Sequence, residues 1–326
     1  MRLGSFMPVN SVWKEPLRTL QERFPEHEIV MDPKASTAAL PRLDAILAGP
    51  LDHSVFATAL SLKAVFVPFT GINHLPVELL LERGVKTYNV HGQAPGVAQC
   101  ALAMTLAFYG RLVEYHNDLR TMKWHGFWVG RGSEDEWNSL FGRSCAIFGT
   151  GAIGIALARL LKAFDCPVIG YRRNADAPVP PNFDRIETDL AQAVNAAELL
   201  FIALPLTPAT EGLFTKELLL SAHGKFLVNV GRGPIVDEEG LYLALKNGIL
   251  KGAAIDTWYT YPQSGATLGA PSRFPLHELP NVILSPHIAG STRESVSLKV
   301  ADTLENITEW LATGRCVREA NLRAMY

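Results

Sequence analysis

Three glycines at the end of a short apolar run are the first residues in this chain suited to holding a ligand. The stretch Cys145-Ala-Ile-Phe-Gly-Thr-Gly-Ala-Ile-Gly154 sets Gly149, Gly151 and Gly154 between a strand and a helix that starts near Ala152. Gly149 permits a tight turn, Gly151 lets the backbone approach a pyrophosphate, and Gly154 allows the helix to pack closely on the strand. The anion would lie at the helix N-terminus, where unpaired N–H groups point toward it. A strand–helix turn that binds nothing has the same pattern, but the flanking strand and helix favour a nucleotide site. Three later segments each follow an apolar run: Leu204-Pro-Leu-Thr-Pro-Ala-Thr210, Val228-Asn-Val-Gly-Arg-Gly-Pro-Ile-Val-Asp237, and Leu284-Ser-Pro-His-Ile-Ala-Gly290. The second puts Arg232 in a glycine-flanked turn, with Asp237 placed to cap the next helix, and the third puts His287 after a proline. Loops at the carboxyl ends of parallel strands are where such sheets hold ligands. Taken singly, Arg232 reads as a surface cation and His287 as a satisfied structural histidine. Thr207 reads as a turn residue, and Asp256 as a strand-end carboxylate bonding nearby amides. Their order along one chain is what points to a site.

The elements that must position these residues alternate between short apolar runs and helical patterns, the mark of an α/β protein with parallel sheets. Before the glycine turn, strands are expected at Glu28–Met31, Asp44–Ala48, Ala64–Val67 and Lys86–Asn89, followed by a long apolar helix over Val97–Tyr115. The segment His116–Arg143 is irregular and rich in Trp, Gly and Arg, which marks a domain crossover. A second series of strands starts at Cys145 and continues at Val168–Tyr171, Leu199–Ala203, Phe226–Val230, Gly252–Asp256 and Val282–Ser285. The last helix, Ser291–Ala312, shows a capping box at Ser291-x-x-Glu294 and an apolar face of Val296, Val300, Leu304, Ile307 and Leu311, with Gly314 ending it. This helix is expected to return to the N-terminal domain, giving a discontinuous domain of residues 1–118 and 292–326 around a nucleotide domain of residues 119–291.

The composition narrows the function classes. With 326 residues, 48% of them hydrophobic, the chain has room for about two domains with sizeable cores. Thirty basic residues against thirty-two acidic ones give a formal charge of −2, so no basic field invites nucleic acid. Cys100, Cys145, Cys166 and Cys316 are scattered without metal-ligand spacing, which suits a reduced, cytoplasmic protein with no metal. No uninterrupted apolar run reaches membrane length, and no membrane partner is expected.

From about residue 64 onward the chain resembles the D-isomer-specific 2-hydroxyacid dehydrogenase family. The resemblance rests on the Gly149/Gly151/Gly154 turn, Pro205-Leu206-Thr207, Asn229-Val-Gly-Arg-Gly, Asp256 and Ser285-Pro-His-Ile-Ala-Gly, with Gly71 and Asn89-Val-His-Gly-Gln-Ala upstream. It implies two Rossmann/flavodoxin-like domains, the nucleotide domain inserted into the substrate domain, with the active site in the cleft between them. It also implies hydride transfer between a nicotinamide cofactor and a small 2-oxo or D-2-hydroxy acid such as glyoxylate, hydroxypyruvate or phenylpyruvate. Arg232 matches the arginine that binds the substrate's carboxylate and carbonyl, a task suited to a planar, always-charged fork of donors. His287 matches the general acid/base. The amides around Thr70 and Gly71 match the substrate carboxylate site, and Asp256 would face the nicotinamide carboxamide. Cofactor contacts are implied for Gly149, Thr150, Gly151, Ala152, Ile153 and Gly154, for Leu204, Pro205 and Thr210, for Val230, Gly231 and Arg232, and for Asp256, His287 and Gly290. His116–Arg143 matches the family's dimer arm, so a homodimer is expected.

Two departures stand out. Most members carry a glutamate five residues after the aspartate, paired with the histidine, whereas this chain has Tyr261 there. A phenol orients the ring by a hydrogen bond without supplying charge, so His287 is expected to titrate lower than in those relatives. Glu278 is the other nearby acid that could replace the glutamate. At the end of the second strand, where NAD-selective members have an acid, the chain reads Tyr171-Arg172-Arg173. Two arginines attract a 2′-phosphate, so NADP is the expected cofactor, with NAD as the alternative. His91, Trp124 and Tyr259 are candidates for setting substrate choice, and Gln99 falls where many relatives have glutamate. Two other readings follow from the missing glutamate: a dinucleotide-sensing, co-repressor-like binding protein, and a formate dehydrogenase-like enzyme.

Overall fold

Short runs of aliphatic and β-branched residues form two separate parallel sheets in the computed structural model, which describes residues 1–8, 12–263 and 265–325. The contacts divide the chain into two units, Met1–Gln93 with Ser291–Tyr326, and Ala94–Gly290.

The first unit opens with β1 (Arg2–Ser5), α1 (Lys14–Arg23), β2 (Glu28–Val30), α2 (Pro33–Ala39), β3 (Ala45–Leu47), α3 (His53–Thr58), β4 (Ala64–Phe66), α4 (Val77–Glu82) and β5 (Lys86–Tyr88). Its five strands are ordered β2-β1-β3-β4-β5, the flavodoxin-like order. β1 was not expected from the sequence. Arg2-Leu-Gly-Ser5 offers a single β-favouring apolar residue, and the strand exists because β2 and β3 pair with it on both sides.

The second unit begins with α5 (Ala94–Tyr109) and α6 (Leu112–Arg120), continues through β6 (Cys145–Phe148), α7 (Ala152–Lys162), β7 (Val168–Tyr171), β8 (Arg185–Glu187), α8 (Leu190–Asn195), β9 (Leu199–Ile202), α9 (Lys216–Ser221), β10 (Phe226–Asn229), α10 (Glu238–Lys246) and β11 (Gly252–Ile255), and ends its sheet with β12 (Val282–Leu284). The strand order is β12-β11-β10-β9-β6-β7-β8, so the winding reverses between β6 and β9. Every strand in it pairs in parallel, which needs helices on both faces and explains the fully buried, largely apolar strands β6, β7, β9, β10 and β11.

Three expectations need correction here. The helix expected over Val97–Tyr115 is two helices bent by 62°, because Gly110 ends α5 and Arg111 adopts a left-handed φ of 50°. No single helix among the described residues is long and apolar enough to cross a membrane. The domain boundary expected at residue 118 lies instead at residue 93. The reason is that α5 packs on α7, and Phe108 stacks on Phe226 at 4.4 Å, within the second unit. The last helix, α11 (Arg293–Thr313), is capped by Thr292, whose hydroxyl accepts from Ser295 N at 3.0 Å, rather than by Ser291. Gly314 ends it with φ 74°, as expected.

α11 completes the first unit's core. Val300, Ile307, Trp310 and Leu311 are buried with Leu3, Trp13, Leu17, Ala64 and Phe66, and Trp310 meets Phe66 edge-on at 5.8 Å. Beyond it, Glu319 bridges to Tyr88, and Ala320 N donates to Thr87 O at 2.8 Å. At about 1.5–3 kcal/mol for each large apolar side chain, these four contribute an amount comparable to a domain's whole net stability.

Candidate active site

The turn after β6 has the shape its glycines predict. Gly149 has φ 107°, and a Cβ there would stand 2.7 Å from the Ala203 carbonyl oxygen at the end of β9. A Cβ on Gly154 would stand 2.1 Å from the Gly149 carbonyl, so only glycine lets α7 start this close to its strand. Gly151, by contrast, faces open space, with nothing within 4 Å of its absent Cβ. It is also the N-cap of α7 and provides no side-chain cap, which leaves first-turn N–H groups available to an anion at the winding reversal of the sheet. These features fit a dinucleotide. Thr150, Ala152 and Ile153 complete the turn.

The two arginines after β7 differ. Arg172 donates through Nη2 to the carbonyls of Ala177 and, at 3.0 Å, Pro178, so it orders the loop that follows, and its Nε is buried without a hydrogen-bond partner among the described residues. Arg173 is exposed and has no hydrogen-bond or ion-pair partner among the described residues. The loop after β9 is tied by its threonines. Thr207 N donates to Thr210 Oγ1 at 2.8 Å, and Thr210 Oγ1 donates to Pro205 O at 2.6 Å. Gly231 keeps this loop close, since a Cβ there would lie 2.8 Å from Leu204 O.

Arg232 follows Val230 and Gly231 at the end of β10. Asn229 holds the turn with both ends of its amide: Nδ2 donates to Arg232 O at 3.0 Å, and Oδ1 accepts from Gly231 N at 3.1 Å. The Arg232 guanidinium is desolvated, which lowers its pKa, while Tyr261 acts in the opposite direction. Asp237 caps α10, accepting from Gly240 N at 2.6 Å.

His287 lies on the loop after β12 with φ 58°, a left-handed conformation that costs a non-glycine residue about 1 kcal/mol or more. Asp256 holds that loop. It is 1% exposed; Oδ1 accepts from the Ser285 hydroxyl and from Ile288 N at 3.0 Å, and Oδ2 accepts from Ala289 N at 3.2 Å. Its carboxylate is therefore committed to the Ser285 hydroxyl before His287 and to two backbone amides after it, rather than turned outward to a nicotinamide. Although His287 is exposed overall, its imidazole is partly desolvated, which lowers its pKa; Asp256 opposes that shift and Arg232 adds to it. The two side chains expected to act together are thus close enough to influence one another.

Tyr261 packs its ring 5.4 Å from the His287 ring, tilted by 44°. Its hydroxyl does not reach the imidazole as expected but accepts from Trp258 N at 3.1 Å. Desolvation raises the Tyr261 pKa, against the Trp258 bond and Arg232. Glu278 is no substitute acid: it is exposed and lies 3.9 Å from the ring of His277. Tyr259 is partly buried, its hydroxyl donating to Val236 O at 3.0 Å, and Trp124 is 57% exposed. Gln99 is exposed on α5. Among the residues without an expected role, Ser285 and Trp258 touch the histidine loop directly. Their part was invisible beforehand because it arises from the pairing of β11 with β12.

In the first unit, the Thr70–Gly71 loop follows β4. Asn89 Nδ2 donates to Thr70 O at 2.7 Å, Thr70 Oγ1 donates to Val90 O at 3.2 Å, and Asn306 Nδ2 donates to Asn89 O at 3.3 Å. His91 stands beside this loop in sequence, and desolvation lowers its pKa against the pull of Asp302.

Known proteins match this chain. A family model described as "D-isomer specific 2-hydroxyacid dehydrogenase, NAD binding domain" matches residues 102–289. A glyoxylate reductase of Thermofilum pendens is 31% identical over 77% of this chain and 72% of its own length. A glyoxylate/hydroxypyruvate reductase B of Pectobacterium carotovorum is 30% identical over 88% of each chain. Against a D-3-phosphoglycerate dehydrogenase of Mycobacterium leprae, also 30% identical, this chain spans half of the relative's length. Among solved structures, an NADPH-dependent glyoxylate/hydroxypyruvate reductase of Sinorhizobium meliloti, in complex with NADP and malonate, has a TM-score of 0.79 at 26% identity, covering 99% of this chain and 98% of that one.

Proposed function

Because the chain belongs to the D-isomer-specific 2-hydroxyacid dehydrogenase family and is an NAD(P)-dependent oxidoreductase, we propose that it reduces a small 2-oxo acid of the glyoxylate or hydroxypyruvate class to the D-2-hydroxy acid, with NADPH preferred. The observation that carries this reading is the grouping of Arg232, His287 and the open Gly151 turn at the carboxyl ends of strands in one sheet. A sensor needs the glycine turn but neither of the other two.

The cofactor, when bound, supplies the hydride. Gly149 to Gly154 would hold its pyrophosphate, Leu204, Pro205 and Thr210 would flank it, and Gly290 would close the far side. Arg173 supplies an unengaged cation for a 2′-phosphate, and Arg172 contributes by ordering the neighbouring loop. The bound NADP of the Sinorhizobium meliloti relative supports this choice. Arg232 binds the substrate carbonyl and carboxylate through its planar donors and stabilises the negative charge that grows on the carbonyl oxygen. His287 gives that oxygen its proton from the imidazolium form, and in the reverse direction takes the hydroxyl proton. Amides of Thr70 and Gly71 receive the carboxylate. The same reading carries a homodimer and a cytoplasmic location.

One assay tests the proposal: consumption of NADPH and of NADH with glyoxylate, hydroxypyruvate and phenylpyruvate, and cofactor reduction with formate. Turnover of a 2-oxo acid with a higher kcat/KM for NADPH is expected. Tight NADPH binding without turnover would place the chain among dinucleotide sensors, and turnover of formate alone would place it with formate dehydrogenases. A preference for NADH would overturn the role given to Arg173.

A further inference from the structure

Three pieces of the candidate site meet at one residue, through its side chain and its backbone, that none of the preceding roles uses. The indole Nε1–H of Trp258 donates to Ser285 O at 2.8 Å, two residues before His287. Its backbone N–H donates to the Tyr261 hydroxyl at 3.1 Å, which fixes the ring that lies against His287. Its carbonyl oxygen lies 2.4 Å from where a Cβ on Gly233 would be, so it presses on the turn that carries Arg232. Trp258 itself is 6% exposed and packed in the core with Ile255, Leu276 and Val282, so these contacts are anchored to the sheet.

We propose that Trp258 is a positioning residue that holds Arg232, Tyr261 and His287 in register, its indole N–H fixing the loop on which His287 sits. The chemistry favours this over a filling role alone. Phenylalanine or leucine would fill apolar space at 258, but neither carries a donor for the Ser285 carbonyl. His287 holds a left-handed φ that only a constrained loop maintains. The constraint comes from both sides: the indole on the carbonyl of Ser285, and Asp256 on the Ser285 hydroxyl and on the amides of Ile288 and Ala289. The ring of His287 has a phenol rather than a carboxylate beside it, so its orientation depends on its backbone more than on a side-chain partner.

The inference rests on the proposed roles of Arg232 and His287, and its test separates the two. Trp258→Phe keeps an aromatic ring and removes the N–H. In 15N-histidine-labelled protein, with the signal assigned by His287→Asn, the His287 ring resonances are expected to shift and their titration midpoint to move. A structural role alone would leave both unchanged. In parallel, kcat should fall about tenfold or more, while KM for NADPH stays within about twofold. An unmoved His287 signal with kcat within about twofold of wild type overturns the proposal, as does a loss of activity that only follows a loss of NADPH binding and melting temperature. If Trp258→Phe does not fold, hydrogen exchange of the assigned Trp258 indole N–H in the wild-type protein decides: slow exchange supports the bond to Ser285, and exchange at the rate of an exposed indole overturns it. Neither spectroscopic readout needs a substrate. Failure of the whole 2-oxo-acid panel would therefore count against the proposed function without touching this result.

Discussion

With a phenol ring tilted by 44° beside its imidazole, His287 feels the acidic influence of Asp256 while Arg232 pushes the other way. Desolvation lowers the His287 pKa, with Arg232 adding to the shift, and this has a direct consequence for rate. Reduction needs the imidazolium, so the pH at which reduction fails on the alkaline side should be low. In Tyr261→Glu a carboxylate beside the ring favours the charged form and raises the His287 pKa. The alkaline limb of kcat/KM for reduction should then move up by about one pH unit, measured as a pH–rate profile. A limb that stays in place would show that residue 261 does not set the proton affinity of His287. The presence of Arg232, His287 and Tyr261 was legible in the sequence because each sits in a short motif. The direction of the Tyr261 hydroxyl was not, since it depends on where a neighbouring N–H points after folding.

The element that makes the nucleotide turn separates two effects usually lost together. Gly154→Ala forces a methyl to 2.1 Å from a backbone oxygen, and neither β6 nor α7 can give way cheaply. Overpacking of this kind costs about 1–3 kcal/mol, so both the melting temperature and NADPH affinity should drop. Gly151→Ala meets open space, so the fold should keep its melting temperature while NADPH binding weakens, because the methyl occupies room the pyrophosphate needs. Thermal melts with and without NADPH check both, and equal loss of stability in the two variants would contradict the assignment. Central strands such as β6 and β10 were readable because burial on both faces demands continuous apolar runs. β8, Arg185-Ile-Glu187, was not, since an edge strand needs little apolar character. The break between α5 and α6 was missed because apolar residues continue on both sides of Gly110.

At the scale of the whole molecule, several exposed apolar residues lie along α6 and the segment after it. Phe127 and Trp128 pair edge-to-face at 5.5 Å yet remain 84% and 81% exposed, with Met122, Trp124 and Trp137 also exposed. Patches of this kind mark contact surfaces. Under the proposed homodimer, the double substitution Phe127→Ser with Trp128→Ser should shift the protein from dimer to monomer in sedimentation velocity, with the far-UV circular dichroism unchanged. A monomeric wild-type protein would remove the premise. Domain insertion was legible from the late helix, but its boundary was not, because α5 is equally apolar whichever sheet it serves.

The placement of α11 also sets an order of events at the ribosome. Strands β1 to β5 are made before the inserted unit, yet Val300, Ile307, Trp310 and Leu311, which seal their core, are made after it. The inserted unit has all its own strands by Leu284 and can complete itself in the meantime, since domains fold as units during synthesis. The first unit's strands therefore wait through the synthesis of the whole second unit for their final partners, and during that interval their apolar faces are what a chaperone would find.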